Sequence, residues 1–176
     1  MKIEILYPEI CTLYGDKGNT MYLQDAEFVT TGLNEKPLFL KENIDMVYMC
    51  SMSEKSQELV LDRLMQYKDE IAACMKDGKA LFLLVGNSME LLGDYIKRED
   101  GTRVTGLGVV PGMYSVRQTP NRFNTLIKAK FNDMTLIGYT SRFAHTYGIP
   151  DDMTFCKVEI GQGSNPDTMN EGICKK

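Results

Sequence analysis

The chain has 176 residues, of which 43% are hydrophobic and 25% charged, and its formal net charge of −4 argues against a general nucleic-acid binder, which needs a basic surface. This size and composition predict one globular domain over residues 1–176. No run approaches the roughly 18 apolar residues of a transmembrane helix, and the first residues lack a signal-peptide pattern, so we expect a cytoplasmic protein without membrane insertion.

The first 96 residues predict alternating strands and helices. The predicted strands cover residues 3–7, 38–40, 44–50 and 79–85. The predicted helices cover residues 20–32, 53–77 and 89–96. This order indicates a doubly wound α/β fold, with a mostly parallel sheet flanked by helices. The apolar run over residues 80–85 is typical of a central strand that is buried on both faces.

The second half of the chain has a different pattern. After Gly101, valines, threonines and aromatic residues alternate with polar residues, as they do in half-buried strands. The predicted strands lie within residues 103–116, 122–131, 135–143 and 154–160. We expect several of them to be antiparallel.

The junction between the last predicted strand of the first half and the helix after it is the expected site of chemistry. It consists of Gly86, Asn87 and Ser88. A strand that runs into a tight turn and a helix places the turn at the carboxyl edge of the sheet, where open α/β sheets bind ligands. In a nucleophile elbow a cysteine or serine occupies the tip of such a turn. The start of the next helix would offer N–H groups and partial positive charge to an oxyanion or a thiolate.

Several segments resemble one family, in the same order along the chain. They are Leu6-Tyr7-Pro8-Glu9, the distinctive string Leu13-Tyr14-Gly15-Asp16-Lys17-Gly18-Asn19, residues 101–109, residues 118–123 and, more weakly, Gly138-Tyr139. With these segments the chain resembles the class I glutamine amidotransferases of the CobB/CobQ-like group, most of all the GatD-like branch. The resemblance implies the flavodoxin-like fold of that class. It also implies a role in amidating lipid II, a cell-wall precursor, or a cobyric-acid-like substrate, with a Mur-ligase-like synthetase subunit as partner and glutamine or a related small molecule as ligand.

The chain departs from the family where the chemistry should be. The family has Cys-Gly-Gly-X-Gln-Leu-Leu-Gly at the elbow, and this chain has Gly86 at the nucleophile's position. A glycine has no side chain to attack an amide carbon. The family's glycine-rich turn near the oxyanion site, Gly-Gly-Gly-Gln-Asp, corresponds here to Cys-Ser-Met-Ser-Glu over residues 50–54. The chain also ends at Lys176, before the family's catalytic histidine. We therefore assign no catalytic residue and expect that glutaminase activity is lost.

Four residues could substitute for the missing machinery or bind substrate. Arg122 matches the family arginine that holds glutamine and could pair with its α-carboxylate, or it could form a surface salt bridge. Ser88 could be a displaced nucleophile, although a helix N-cap or first-turn serine is the commoner role. Cys50 ends a strand at the same sheet edge, where a buried, unreactive thiol is the commoner role. His145 falls at an arginine of the family and is expected to be a surface or structural histidine. We expect substrate binding at Arg122, Gly86, Asn87 and Ser88.

The five cysteines and the single histidine form no metal-binding pattern. The number of cysteines is odd, their spacing is wide and there is no CxxC, so a structural zinc site is not expected. Reduced, mostly buried thiols are typical of a cytosolic chain with this pattern. We therefore predict neither a metal nor another cofactor.

Three functions remain open at this point. The first is an amidotransferase-like subunit that has lost glutamine hydrolysis. The second is an active amidotransferase component, completed by a partner chain or by an unusual nucleophile. The third is a flavodoxin-like module that binds a small molecule at the sheet edge. The third has only generic support, because the chain contains neither a GxGxxG nor a GxxxxGK[ST] phosphate loop.

Overall fold

The computed structural model describes residues 1–23 and 25–175, without the side chains of Asp16 and Lys17. Gln24 and Lys176 lie outside the described residues. The expectation that the chain ends at Lys176, before the family's catalytic histidine, therefore stays a prediction. The chain divides into two compact units, Met1–Leu91 and Leu92–Lys176. The expectation of one domain over residues 1–176 stays a prediction.

The first unit contains a four-stranded parallel sheet and two α-helices. The strands are β1 (Lys2–Leu6), β2 (Glu27–Thr31), β3 (Met46–Met49) and β4 (Leu81–Leu84), and the helices are α1 (Glu54–Met65) and α2 (Lys68–Lys76). The strand order is β2-β1-β3-β4, and all three pairings are parallel. Strands β1 and β3 contribute the buried side chains of Ile3, Val47 and Tyr48. The predicted α/β fold with a parallel sheet is therefore confirmed.

The prediction of a helix over residues 20–32 was wrong. A 3-10 segment at Leu13–Tyr22 comes first, and strand β2 follows it. The apolar residues in this stretch have helical spacing, but its end, Phe28-Val29-Thr30-Thr31, is rich in β-formers. Strand β2 pairs with β1 in register, with Ile3 opposite Phe28, so tertiary pairing overrides the local spacing.

The prediction of a strand over residues 38–40 was also wrong, because this segment is a 3-10 turn, Leu38–Leu40. The buried carboxylate of Glu4 on β1 accepts hydrogen bonds from the N–H groups of Leu38 and Phe39, both at 2.7 Å. It also accepts one from the hydroxyl of Thr31. These N–H groups are therefore satisfied by a side chain rather than by a neighbouring strand.

Two further predictions in the first unit need correction. The long helix over residues 53–77 is interrupted at Gln66 and Tyr67, where α1 ends and α2 has not begun. Strand β4 is at the edge of its sheet rather than at the centre, and its residues Leu81 and Leu83 are exposed. A purely apolar sequence does not distinguish an uncovered edge strand from a buried central strand.

The second unit is built from strands. They are β5 (Tyr95–Lys97), β6 (Arg103–Thr105), β7 (Tyr114–Arg117), β8 (Phe123–Phe131), β9 (Met134–Arg142), β10 (Ala144–Tyr147), β11 (Thr154–Ile160) and β12 (Asn170–Ile173). One sheet has the order β10-β7-β5-β6, in which only β5 and β7 are parallel, and the other is the antiparallel sheet β12-β11-β8-β9. The predicted antiparallel strands of the C-terminal half are confirmed.

The helix predicted over residues 89–96 is absent. A seven-residue 3-10 segment, Gly86–Leu92, occupies its beginning, and β5 occupies its end. Strand β5 pairs with β6 and β7, and this pairing overrides the helical spacing. Neither α1 nor α2, the two α-helices of the described chain, has the length and apolar character that a membrane crossing requires.

Candidate functional site

The turn after β4, to which the sequence resemblance assigns the family's nucleophile, begins with Gly86. The φ angle of Gly86 is +59°, a left-handed conformation that side chains with a Cβ rarely adopt. A Cβ built on Gly86 would lie 3.0 Å from the Cβ of Ser51. Gly86 therefore removes both backbone strain and a steric conflict with the segment that follows β3.

Asn87 ties this turn to the same segment. Its side-chain Oδ1 accepts a hydrogen bond from the N–H of Met52 at 3.0 Å, and its Nδ2 donates to the carbonyl of Met52 at 2.7 Å. The amide thus binds Met52 as a neighbouring peptide would. The sequence resemblance matches Met52 to a glycine of the family's turn near the oxyanion site, and the N–H of Met52 is used inside the protein.

Ser88 is fully buried, in the first turn of the 3-10 segment. Its hydroxyl has two carbonyls within hydrogen-bond distance, those of Val85 at 2.8 Å and Met49 at 3.1 Å. The hydroxyl thus lies against the ends of strands β3 and β4. This position holds the two strand ends together and gives the oxygen no open approach to a substrate.

A buried amide from helix α1 completes the turn. Gln57 Nε2 donates to the carbonyl of Asn87 at 2.8 Å and to the carboxylate of Glu90 at 3.0 Å. Both side chains are buried. We did not predict either residue to belong to the site. A signal was present, because Gln57 has the i, i+3, i+4, i+7 spacing of the buried α1 stripe Val60, Leu61 and Leu64 and is its polar member.

The backbone after Gly86 does not provide the helix start that the sequence predicted. The segment Gly86–Leu92 is a 3-10 helix and leads into strand β5 without an α-helix. The partial charge at a helix end depends on aligned peptide dipoles over several turns, and seven 3-10 residues supply few. The expected stabilisation of an oxyanion or a thiolate by a helix dipole at this turn is therefore corrected, because the segment supplies little such dipole.

The sequence predicts one candidate thiol near the turn, Cys50, and the structure places a second thiol, Cys11, against the same segment. Cys50 is buried and follows β3, and Cys11 is buried with its Sγ 3.7 Å from the Sδ of Met52. Burial and then the neighbouring Cys50 raise the pKa of Cys11 to about 12. The Cys11 thiol is therefore protonated near neutral pH and is a poor nucleophile. The five cysteines form no disulfide, and the described residues contain no His/Cys/Asp/Glu cluster that could hold a metal.

Arg122 lies in the second unit, directly before β8, and is exposed. Its guanidinium carbon is 4.5 Å from the centre of the Phe143 ring, a cation–π distance. The stacked ring restricts the orientation of the guanidinium. Gly86, Asn87 and Ser88 form one turn of the first unit, whereas Arg122 belongs to the second.

His145 also lies in the second unit, on β10. Its ring centre is 5.6 Å from that of Phe123. Burial, followed by the charge of Arg142, lowers the pKa of His145, and the carboxylate of Asp167 acts weakly in the opposite direction. A lowered pKa keeps the imidazole neutral near pH 7.

The comparisons with known proteins agree with the sequence resemblance. Residues 2–176 match the sequence model of the CobB/CobQ-like glutamine amidotransferase domain. The chain is 26% identical over 181 residues to the lipid II isoglutaminyl synthase (glutamine-hydrolyzing) subunit GatD of Streptococcus pneumoniae strain ATCC BAA-255/R6, a match that covers 98% of this chain and 69% of the relative.

Two solved structures have a similar fold. The structure of PurLQS from Thermotoga maritima superposes with a TM-score of 0.65 at 10% identity, covering 96% of this chain and 79% of that one. The crystal structure of a glutamine amidotransferase superposes with a TM-score of 0.61 at 11% identity, covering 88% and 79%. At these identities the likeness shows the fold alone.

Proposed function

The chain belongs to the CobB/CobQ-like glutamine amidotransferase family, and from this premise we propose that it is a partner-binding subunit that does not hydrolyse glutamine. The observation that carries the proposal is the turn at Gly86. The nucleophile's position has no side chain, and a Cβ there would lie 3.0 Å from the Cβ of Ser51.

The groups around Gly86 support a loss of hydrolysis beyond the missing thiol. The Ser88 hydroxyl lies between the carbonyls of Met49 and Val85. The N–H of Met52 is donated to Asn87. Amide hydrolysis by this family's route needs a nucleophile and N–H donors directed at the developing oxyanion. In this turn the candidate groups bind one another instead.

The name of the relative supports a proposed partner and acceptor. That relative is named as a subunit of lipid II isoglutaminyl synthase. We propose that this chain likewise associates with a Mur-ligase-like synthetase subunit, in the amidation of lipid II or of a cobyric-acid-like substrate. Its five cysteines form no disulfide, as is typical of a reducing compartment, and we propose a cytoplasmic location.

A glutaminase assay tests the loss of hydrolysis. The purified chain is incubated with glutamine, alone and with its synthetase partner, and the released ammonia is measured. We expect no ammonia above the enzyme-free blank. The matched control is the pneumococcal relative, whose name includes glutamine hydrolysis. Ammonia release that a cysteine-reactive glutamine analogue abolishes would contradict the proposal.

One observation favours the second candidate, an active component completed by a partner chain. Arg122 offers an exposed guanidinium whose orientation is restricted by Phe143, and such a group suits an α-carboxylate. Calorimetry with millimolar glutamine separates the candidates. Heat of binding that is lost in Arg122→Ala supports a retained glutamine site, whereas no heat with the unmodified chain removes its basis.

A further inference from the structure

The antiparallel sheet β12-β11-β8-β9 has two unlike faces. Its inner face holds a buried cluster of Ala129, Cys156 and Val158. The outer face carries four large apolar residues that are exposed: Leu126 (72%), Ile137 (75%), Tyr139 (63%) and Ile160 (64%). The solvent face of an antiparallel sheet is normally polar, so this outer face is unusual for a surface that stays in water.

The four residues form one patch because of the strand register. Leu126 on β8 is opposite Tyr139 on β9, and Lys128 is opposite Ile137. Ile160 on β11 is opposite Lys128 from the other side. Directly opposed side chains point to the same face, about 5 Å apart. Lys128 therefore lies between Ile137 and Ile160, and the four apolar side chains surround this lysine across three strands.

Three lysines share this face: Lys128 lies inside the patch, and Lys130 and Lys157 form a positive rim at one end of it. Lys128 and Lys130 lie on β8, and Lys157 lies opposite Lys130 on β11. Lys128 is paired with Glu159 at 2.9 Å, and Lys130 donates to the hydroxyl of Thr135. The chain as a whole carries a net charge of −4, so this face differs in sign from the average surface.

The neighbouring edge of the sheet is also open to association. Within the described residues, β9 pairs with β8 alone. Its nine residues contain neither proline nor lysine, the residues that commonly protect an edge strand from pairing with another chain. An edge of this length beside an exposed apolar patch fits a surface that is covered in the working protein.

We propose that the outer face of β8, β9 and β11 binds the synthetase subunit, through a surface of that subunit that is apolar at its centre and acidic at its rim. This inference rests on the proposed partner role. The lysine rim is complementary to acidic side chains. A second copy of the chain is disfavoured, because a two-fold interface would bring the same positively charged face against itself. An anionic membrane is disfavoured as well, since lipid-binding clusters hold about four to eight cations and this face has few.

The test uses the full chain produced together with the Mur-ligase-like synthetase encoded in the same genome. Sedimentation velocity measures the affinity, and hydrogen–deuterium exchange locates the contact. We expect protection of β8, β9 and β11 in the complex. Leu126→Asp should weaken binding at least about tenfold, by burying an unpaired charge. Met21→Asp, at an equally exposed position (72%) of the first unit, should leave the affinity unchanged.

A second variant tests the charge argument. Lys130→Glu combined with Lys157→Glu should also weaken the complex about tenfold, and the wild-type affinity should fall with added salt. Urea unfolding confirms that each variant is folded. If the complex forms and Leu126→Asp leaves its affinity unchanged, the proposed binding face is wrong. If no complex forms, both the proposed partner role and the proposed face are wrong.

The other occupants have their own outcomes. Self-association of the chain alone, abolished by Leu126→Asp, would overturn the choice of the synthetase. Binding to phosphatidylglycerol vesicles that depends on Lys130 and Lys157 would overturn it as well. Neither result depends on the glutaminase assay. The proposed binding face can therefore be disproved independently of the proposed loss of glutamine hydrolysis.

Discussion

The turn at Gly86 and the outer face of the second unit differ in whether their side chains have contacts within the protein. At the turn, Asn87, Ser88 and Gln57 all use their polar groups on the protein itself. On the outer face, large apolar side chains such as Ile137 remain exposed. The polar groups of the turn at Gly86 thus have hydrogen-bond partners within the protein. The outer face, to which no chemistry is assigned, has apolar side chains that no other part of the described chain covers.

This difference indicates which region of the chain can gain free energy from binding another molecule. A polar group that already has its hydrogen bonds gains little from a ligand, because a new bond only replaces an old one. Exposed apolar surface gains free energy whenever a partner covers it. The satisfied polar groups of the turn and the exposed apolar side chains of the outer face thus favour association over hydrolysis. Four sets of substitutions test this difference between the two regions.

The largest effect is expected from restoring a side chain at the nucleophile's position. Gly86→Cys adds a Cβ at φ +59° and 3.0 Å from the Cβ of Ser51, and we expect a loss of about 3 kcal/mol in the free energy of unfolding. Gly78→Cys is the matched control, since its φ is +62° and nothing lies within 4 Å of the added Cβ. It should cost only about 1 kcal/mol. Urea unfolding measures both.

A second substitution isolates the contact. Ser51→Gly in the Gly86→Cys background should recover most of the difference between the two cysteine variants, because it removes the opposing Cβ. Equal losses for Gly86→Cys and Gly78→Cys would mean that Ser51 does not exclude a side chain at this turn.

The second-largest loss in the free energy of unfolding is expected from removing the Asn87 amide from the turn at Gly86. Asn87→Ala removes two hydrogen bonds, at 3.0 and 2.7 Å, and leaves the N–H and carbonyl of Met52 without them. We expect a loss of about 2 kcal/mol and faster amide exchange at Met52. Asn124→Ala, at an exposed position of β8, is the control. Unchanged exchange at Met52 in Asn87→Ala would show that the turn does not depend on this amide.

The two faces of the antiparallel sheet allow the comparison to be made within one element. Ile137→Ser, at an exposed position, should change the free energy of unfolding by less than about 0.5 kcal/mol. Val158→Ala, in the buried cluster, should cost about 2 kcal/mol. Chemical denaturation of both variants measures the contrast. A large loss for Ile137→Ser would show that the outer face is part of the core.

The smallest expected effect depends on pH. Burial lowers the pKa of His145 in the folded protein below its ordinary 6.5, so the unfolded chain binds this proton more tightly. The stabilisation from the neutral imidazole is complete above pH 6.5 and is lost as the pH falls through the folded-state pKa. The urea midpoint should drop less between about pH 7.5 and about pH 5.5 in His145→Gln than in the wild type. Equal drops would contradict this role.

Much of the fold could be predicted because its signals are local. The apolar runs of β1, β3 and β4 and the alternation along β8, β9 and β11 are visible in the sequence. Strand β2 was missed because its apolar spacing also suits a helix, and only pairing with β1 decides between them. The 3-10 turn at Leu38–Leu40 was missed because it depends on a carboxylate more than thirty residues away.

The site shows the same division. A glycine-containing turn at Gly86 was predictable from a strand that ends in Gly-Asn-Ser. The hydrogen bonds of Asn87 with Met52 were not, because they join positions 35 apart in the chain. The role of Ser51 could have been found from its place in a turn where the family has glycines. Contacts of this kind depend on which segments the sheet brings together.

The carboxylate of Glu4 has a consequence for how the protein is made. It binds Thr31, Leu38 and Phe39, all of which leave the ribosome after it does. The acceptor is therefore already synthesised when its donors emerge, and the first unit can begin to assemble while the rest of the chain is being translated. Removing the first few residues would then do more than delete one strand, since residues 31–39 would lose the group around which they fold.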